Sequence, residues 1–420
     1  MVATRIVATP DRVRAKSAHC GPDVGVALFS QGGIKLPGLG GSLANQMRRA
    51  LPRPPSDLSW DFLSIALSAF AADRFIVRRE AEDGWTRILD LDIAVKNPQT
   101  WAPQASRLAA ALRFLTGDIW HISFSGDGAS PPAFQGNLYE RDAICLFSGG
   151  LDSLLGALKL QEDGRFPFLV SQGSPKEITP QQYLSKMIGL EEYRFDGRVN
   201  ERWRPPYEAS TRGRSLVFLA YGVVAASGHG LNEVVIPENG LIAVNPPLTR
   251  RRIGTLSTRT THPHFLSELQ AVLQGAGINI SLRNIFEGMS KGEMLASCTH
   301  PRVSSLAGYS YSCGKGKRKN GQCGRCIPCL IRRAAFRSSG VADRTKKYLS
   351  DIRSSQKNDD VLAARLATAY KATLSQDEFE RWVTMAGPLP EEIARRKAIL
   401  RAVGKGLDEV SEFLSQVRWR

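Results

Sequence analysis

The stretch that most constrains the fold of this chain is residues 143–160. Residues 143–147 form an apolar run that is typical of a buried parallel strand. Residues 154–160 have the apolar spacing of a helix that packs on a sheet. Between them lie Ser148, Gly149, Gly150, Leu151, Asp152 and Ser153. A strand, a glycine turn and a helix in this order predict an α/β unit with an anion-binding turn at the end of its strand.

The residue types in this turn suit a nucleotide phosphate. Gly149 and Gly150 allow close approach of the backbone, and the first N–H groups of the helix would point at the anion. Hydroxyls of Ser148 and Ser153 can donate further hydrogen bonds, and Asp152 can reach a Mg²⁺ ion held on the phosphates. We therefore predict an ATP site here, although a serine and glycine turn with a simple helix cap would explain the same residues. The chain contains no GxxxxGK[ST] motif, so the turn is not a Walker A loop.

The pattern along the chain predicts three regions. Residues 1–140 mix strand and helix signals and suggest an N-terminal α+β accessory domain. Residues 141–340 alternate strands and helices, as a doubly wound parallel sheet of an α/β fold requires. Residues 341–420 are charged and helix-rich, and we expect a helical C-terminal extension. Individual strands are expected at 85–95, 120–124, 166–170, 233–237 and 278–282, and helices at 61–70, 106–115, 216–226 and 391–403.

Charge and hydropathy narrow the class of protein. A net charge of +16 over 420 residues favours anionic partners such as nucleotides, nucleic acid or an acidic protein. Nucleic acid is open on charge alone, but no nucleic-acid-binding motif indicates it. No apolar run reaches the length of a membrane span, and the N-terminus lacks the apolar core of a signal peptide. We therefore expect no membrane association and a cytoplasmic location.

Four of the seven cysteines are concentrated in one short segment. Cys313, Cys323, Cys326 and Cys329 have the spacing C-x9-C-x2-C-x2-C. Two overlapping CxxC steps bring three thiolates to one ion, and the longer loop returns the fourth. The segment 313–329 therefore predicts a closed, structural Zn²⁺ site with four sulfur ligands.

Two alternatives to zinc remain open. Closely spaced cysteines can hold an iron–sulfur cluster, and the thiols could also be reduced and free of metal. The other three cysteines are expected to be single structural thiols. They are Cys20, Cys145 and Cys298.

The turn at 148–153 resembles the pyrophosphate loop of the N-type ATP-pyrophosphatases, whose fold is adenine nucleotide alpha hydrolase-like. Combined with the cysteine cluster, it resembles the QueC family, the 7-cyano-7-deazaguanine synthases. Residues 323–336 are similar to that family's zinc segment and its following helix, and Lys291 with Glu293 is similar to its K-x-E step. Arg214 stands where the family has Arg-Asn before an apolar helix, although Ser215 here replaces the asparagine. The resemblance covers residues 141–340.

The resemblance implies an ATP-dependent C–N ligase. ATP would adenylate the carboxylate of a 7-carboxy-7-deazaguanine type of substrate, and an amine would then form an amide or nitrile. It implies catalytic roles for Asp152, Ser153, Lys291 and Arg214, the last two as charge stabilisers on phosphate or carboxylate. The residues outside 141–340 resemble those of long QueC-like proteins from Qat-type anti-phage defence operons. In such a relative the acceptor amine could belong to a partner protein.

Two other functions would use the same loop. One is a tRNA-modifying ATP-pyrophosphatase, and the other is a non-catalytic nucleotide-binding scaffold within a defence complex.

Glu238 and Asn239 follow a predicted strand and are candidates for reading the purine edge, although a turn explains them equally well. The polar stretch 257–264 is a candidate substrate contact or a helix entry. In that stretch, His262 and His264 are expected to be loop or cap residues rather than metal ligands.

Overall fold

The computed structural model describes most of the chain. The described residues are 3–21, 23–33, 35–133, 141–173, 175–199, 208, 210, 212–249, 259–313 and 321–420, without the side chains of 175–179. Within these residues lie two parallel five-stranded sheets with helices, so the predicted α/β class is confirmed. No helix among them is both long and apolar enough to span a bilayer.

The first sheet has the strand order β3-β2-β1-β4-β5. Its described pairs are all parallel, so residues before 140 form an α/β sheet rather than the α+β arrangement that the mixed sequence signals suggested. Alternation made β4 recognisable, because Leu89, Leu91 and Ile93 are buried between half-buried aspartates. The strands are β1 (Thr4–Thr9), β2 (Val24–Ser30), β3 (Gly38–Gly40), β4 (Ile88–Ala94) and β5 (Ile119–Ser125).

The second sheet has the strand order β10-β9-β6-β7-β8. The central strand β6 is the apolar run that precedes the glycine turn, and all four of its residues are buried. Its neighbours β9 and β7 are reached in opposite directions, which creates the crevice in which ligands of α/β sheets bind. The strands are β6 (Ala143–Leu146), β7 (Pro167–Gln172), β8 (Glu192–Phe195), β9 (Glu233–Val235) and β10 (Ser281–Arg283).

Helices account for most of the remaining described residues. The predicted helices at 61–70, 106–115 and 216–226 form as parts of α3, α5 and α8, and the one predicted at 391–403 forms from Ile393 as part of α16. The helices are α1 (Arg12–Cys20), α2 (Leu43–Ala50), α3 (Asp57–Phe75), α4 (Pro98–Trp101), α5 (Ala105–Thr116), α6 (Leu151–Glu162), α7 (Pro175–Ile188), α8 (Arg212–His229), α9 (Gly240–Val244), α10 (Pro263–Gly275), α11 (Lys291–Ser297), α12 (Val303–Tyr309), α13 (Ile327–Ser339), α14 (Asp359–Lys371), α15 (Gln376–Thr384) and α16 (Ile393–Ser415). Short 3₁₀ turns lie at Arg78–Glu80, Ala102–Gln104 and Ile352–Ser354.

The chain divides into two compact units, each assembled from three segments. The first unit is Met1–Ile144, Tyr193–Val234 and Phe265–Leu282, and the second is Cys145–Glu192, Val235–His264 and Arg283–Arg420. The division predicted at 140 and 340, with a separate 341–420 extension, stays a prediction.

The C-terminal helices belong to a hydrophobic core of the second unit. Leu330 of α13, Val361 of α14, Trp382 of α15 and Leu407 of α16 are buried in one apolar cluster. Since α13 carries Cys329, residues beyond 340 pack against the helix that holds one of the four clustered cysteines. Burial of this apolar surface is the main force that holds the extension in place.

Candidate functional site

The glycine turn after β6 has a geometry that requires glycine. Gly149 has a φ of +73°, in the left-handed region that side chains disfavour. A Cβ atom on Gly149 would also lie 2.9 Å from Cγ of Gln181 on α7. Gly150 then stands at the N-cap of α6 with extended backbone. The predicted sequence of strand, glycine turn and helix is therefore present at residues 143–162.

The two serines of the turn bond to the turn itself. Gly150 donates its N–H to Oγ of Ser148 at 3.2 Å, and Ser153 donates its hydroxyl to the Gly150 carbonyl at 3.1 Å. The two hydroxyl oxygens are 3.3 Å apart. Ser148 is exposed and Ser153 is buried. These bonds hold the turn in shape, so less ordering is needed when a ligand binds.

Asp152 is the centre of a buried polar cluster. Its Oδ1 forms an ion pair with Nζ of Lys291 at 2.7 Å. Its Oδ2 accepts a hydrogen bond from Nδ2 of Asn239 at 2.7 Å, and the same amide lies 3.3 Å from Oε1 of Glu238. Sequence reasoning named all four residues separately, and the fold brings them together. The side chain of Leu151 instead points into an apolar cluster.

Burial and charge push the two acids of this cluster in opposite directions. Burial by itself would raise the pKa of Asp152, but the Lys291 ammonium and hydrogen bonds from Glu238 and Asn239 lower it to about 2. Burial and then the adjacent Asp152 carboxylate raise the pKa of Glu238 well above its ordinary value. Asp152 is therefore the ionised acid, and Glu238 is the acid that favours its protonated form. A perturbed pair of this kind is typical of functional sites.

A capping box presents Lys291 at the start of α11. Ser290 accepts the N–H of Glu293 on its hydroxyl at 3.1 Å, and Glu293 accepts the N–H of Ser290 at 2.8 Å. Lys291 is the first residue of the helix and only 5% exposed. Burying an ammonium group is costly unless it is paired, so its pairing with Asp152 is structurally required. The pattern S-x-x-E marks this helix start in the sequence.

The four predicted cysteine ligands converge. Their sulfur atoms all lie within 4.8 Å of one another. Sγ of Cys313 is 3.6 Å from Sγ of Cys326, and Sγ of Cys323 is 3.8 Å from Sγ of Cys329. Four sulfurs at ~2.3 Å from a tetrahedral ion would be ~3.8 Å apart, so these residues fit Zn²⁺. Residues 314–320 of the intervening loop lie outside the described residues.

The chain segment before Cys313 links the cysteine cluster to the glycine turn. Tyr311 donates its backbone N–H to the carbonyl of Gly149 at 2.9 Å. The fully buried Arg332 of α13 donates to the hydroxyl of Ser310 at 2.8 Å. A metal that ordered Cys313 would therefore also order the backbone that supports the turn.

Arg214 lies on α8 in the first unit, whereas the other predicted catalytic residues lie in the second. Burial raises the pKa of Asp196, and Arg198 and then Arg214 oppose that rise. Arg214 is thus near an acid of its own unit. Its role in the reaction stays a prediction.

His262 behaves as the predicted cap residue. It is fully buried, and its Nδ1 accepts the backbone N–H of His264 at 3.1 Å near the start of α10. Residues 257 and 258 of the same predicted stretch lie outside the described residues. Burial, followed by repulsion from Arg259 and His264, lowers the pKa of His262 to about 3.

The lowered pKa of His262 predicts acid destabilisation. The unfolded chain would bind a proton at His262 below about pH 6.5, while the folded chain would not do so until about pH 3. Stability should therefore fall as the pH drops through this window, by up to about 1.4 kcal/mol per unit. Melting temperatures from pH 7 to pH 4 would fall less for His262→Asn than for the wild type. Equal slopes in the variant and in the wild type would contradict the prediction.

Parts of this chain are similar to known proteins. Residues 260–340 match the family described as "Queuosine biosynthesis protein QueC". The 7-cyano-7-deazaguanine synthase of Azotobacter vinelandii is 24% identical over 235 residues, which are 49% of this chain and 98% of that protein. The synthase of Leptospira biflexa is 22% identical over 256 residues, with 50% and 96% coverage. The "7-cyano-7-deazaguanine synthase 1" of Sulfurisphaera tokodaii is 25% identical over 223 residues, with 50% and 98% coverage.

About half of this chain therefore aligns with nearly the whole of each relative. The matched residues 260–340 include Lys291 and all four clustered cysteines. By sequence similarity, this chain is QueC-like.

Proposed function

We propose that this chain is an ATP-dependent C–N ligase that activates the carboxylate of a deazapurine of the 7-carboxy-7-deazaguanine type. The observation that carries the proposal is the pairing of Asp152 with Lys291 and Asn239 beside the glycine turn. The similarity to 7-cyano-7-deazaguanine synthases supports the substrate class. The net charge of +16 suits anionic substrates.

The chemistry uses the residues as follows. A substrate carboxylate oxygen bonds to the α-phosphorus of ATP, and the bond from that phosphorus to pyrophosphate breaks. Backbone N–H groups at the start of α6, beside Gly149 and Gly150, would hold the phosphates, and Asp152 would hold Mg²⁺, which would neutralise charge on the departing pyrophosphate. Lys291 has three N–H donors, so it can bond to Asp152 and to a phosphate oxygen together.

The second half of the reaction consumes the acyl adenylate. An amine nitrogen attacks its carbonyl carbon, AMP leaves, and the amine loses a proton to give an amide. Ammonia would give a primary amide, which a second ATP could dehydrate to the nitrile. An amine of a partner protein would instead give an amide-linked deazaguanine.

We propose that the acceptor amine of this long chain belongs to a partner protein. We also propose that the reaction takes part in bacterial antiviral defence. Half of the chain lies beyond its alignment with the synthases, which provides surface that the short enzymes lack. We also propose the cytoplasm as its location, because the reaction consumes ATP and requires Mg²⁺. We further propose catalytic roles for Arg214 and Ser153. Arg214 would contact a substrate anion, and Ser153 would contact the phosphates.

The proposal predicts AMP release that depends on the deazapurine carboxylate. Incubation with ATP, Mg²⁺ and 7-carboxy-7-deazaguanine should give AMP and pyrophosphate, measured by chromatography, and omission of the carboxylate should abolish it. Mass spectrometry of mixtures with ammonia or with the proteins encoded beside this chain identifies the acceptor. A tRNA-modifying activity would require tRNA for AMP release, and a non-catalytic scaffold would release none in any mixture. Either result would overturn the proposal.

A further inference from the structure

Helix α16 contacts the segment that carries Lys291. Nε of Arg395 lies 2.5 Å from Oε1 of Glu287, and its Nη2 lies 3.0 Å from Oε2 of the same carboxylate. Arg401 pairs with Glu293 of the capping box and donates to the carbonyl of Gly288 at 2.7 Å. Two arginines of one helix therefore hold the turn that leads into α11 and the first turn of that helix.

Glu409 enters the same region from further along α16. Its side chain is buried, and one carboxylate oxygen accepts the hydroxyl hydrogen of Ser290. The other oxygen accepts the backbone N–H of Gly292 at 3.2 Å. Ser290 and Gly292 are the residues on either side of Lys291, so one carboxylate holds the backbone before and after this lysine. A negative charge also suits the N-terminal end of α11.

The close approach of α16 depends on two glycines. A Cβ atom on Gly292 would lie 2.4 Å from Oε1 of Glu409 and 2.2 Å from Oγ of Ser338. A Cβ atom on Gly240 would lie 2.8 Å from Cβ of Ala402 and 2.4 Å from the carbonyl oxygen of Glu287. Gly240 directly follows Asn239, so α16 packs beside two of the segments that supply partners to Asp152.

We propose that Glu409 is a positioning residue that sets the place of the Lys291 ammonium beside Asp152. This inference rests on the proposed function for its effect on turnover. Glu409 touches neither Asp152 nor the nitrogen of Lys291 in the described contacts, and it acts through the backbone of α11. It also lies outside the residues 260–340 matched by the family, in the region beyond 340. The C-terminal helix thus positions the lysine that the QueC-like segment contributes to this centre.

Displacement of a charged group by about 1 Å can lower a rate by about a hundredfold even when the mutation is distant. We therefore expect Glu409→Ala to lower kcat for AMP release by about tenfold to a hundredfold. The KM for ATP should stay within about threefold, because the turn itself is unchanged. Glu409→Gln keeps an oxygen that accepts the Gly292 N–H, and its amide N–H can donate to Oγ of Ser290 in the reverse direction, so it should restore kcat to within about threefold. The exposed Glu412→Ala, on the same helix, is the matched control and should behave as the wild type.

A second measurement does not depend on turnover. A water-soluble N-hydroxysuccinimide ester acylates exposed amines, and peptide mass spectrometry gives the labelled fraction at each lysine. In the wild type, the buried Lys291 should be labelled at least about tenfold more slowly than Lys159, whose side chain is 44% exposed. Glu409→Ala should raise labelling of Lys291 several-fold, and Glu409→Gln and Glu412→Ala should not.

The two measurements separate the two proposals. A wild-type protein that releases no AMP would refute the proposed function, while Lys291 labelling would still test the role of Glu409. Should Glu409→Ala lose zinc or unfold early, Glu409→Asp keeps the charge and withdraws the carboxylate by about one bond length. Unchanged Lys291 labelling in a folded Ala or Asp variant would overturn the inference. Equal loss of kcat in the Ala and Gln variants would overturn it as well, because the hydrogen bonds would then not be what matters.

Discussion

Asp152→Asn should lower AMP release by about a thousandfold or more and leave the metal content unchanged. The substitution removes the carboxylate that would hold Mg²⁺ on the phosphates, and a thousandfold is about 4 kcal/mol of transition-state stabilisation. The cysteine sulfurs and the bond from Tyr311 to Gly149 do not involve the Asp152 side chain. The measurements are AMP formed per minute and zinc per chain by plasma mass spectrometry.

The choice of asparagine matters for this experiment. Asp152→Ala should also abolish AMP release, but it removes every side-chain acceptor, whereas both variants leave the buried Lys291 ammonium without its charged partner, at a cost of about 3–5 kcal/mol. The Asp152→Asn variant would retain a side-chain oxygen that can accept the hydrogen bond from Asn239. Asp163→Asn, at the exposed C-terminal end of the same helix, is the matched control and should keep full activity. Persistent AMP release in Asp152→Asn would refute a catalytic role, and loss of zinc would show misfolding instead.

Cys329→Ser should lose both zinc and activity. Cys329 is fully buried, and a hydroxyl is a poor replacement for a thiolate ligand of Zn²⁺. Binding energy of a structural metal is folding energy, so we expect the melting temperature to fall by roughly 10 °C or more. Activity should fall with it, because the segment before Cys313 supports the carbonyl of Gly149.

The control for the metal prediction is Cys298→Ser. Cys298 is half-buried and lies outside the cluster, so its variant should retain one zinc ion per chain. A protein purified without chelator that contains iron and absorbs visible light would identify an iron–sulfur cluster in place of zinc. Full thermal stability of Cys329→Ser, with no metal in the wild type, would contradict a structural metal site. Together, the aspartate and cysteine variants separate lost chemistry from lost structure.

Several parts of the site were predictable because their signals are local. The turn at Gly149 needs a left-handed backbone, and glycine is the residue that adopts it without strain. The spacing of the cysteines lets four sulfurs meet at one ion, so their convergence could be predicted from the sequence. The alternation in β4 and the apolar run in β6 likewise indicate which side chains are buried.

Other parts depended on long-range packing and had no local signal. Asn239 bonds to Asp152 across 87 residues of sequence, and Ser290 bonds to Glu409 across 119. Nothing in the residues around Glu409 distinguishes it from the other acids of α16, so its role emerged only from its contacts. The parallel first sheet was also unforeseen, because mixed strand and helix signals do not specify how the strands pair.

Residue chemistry along the chain was sufficient to indicate an anion-binding turn and a four-sulfur metal site, since both consist of neighbours in sequence. The tertiary structure alone decided which charges share a buried space. Burial strengthens electrostatic interactions, so it is the meeting of Asp152, Glu238 and Lys291 that separates the pKa values of the two acids. That meeting is a property of how α6, the end of β9 and α11 pack, and no short stretch of sequence encodes it.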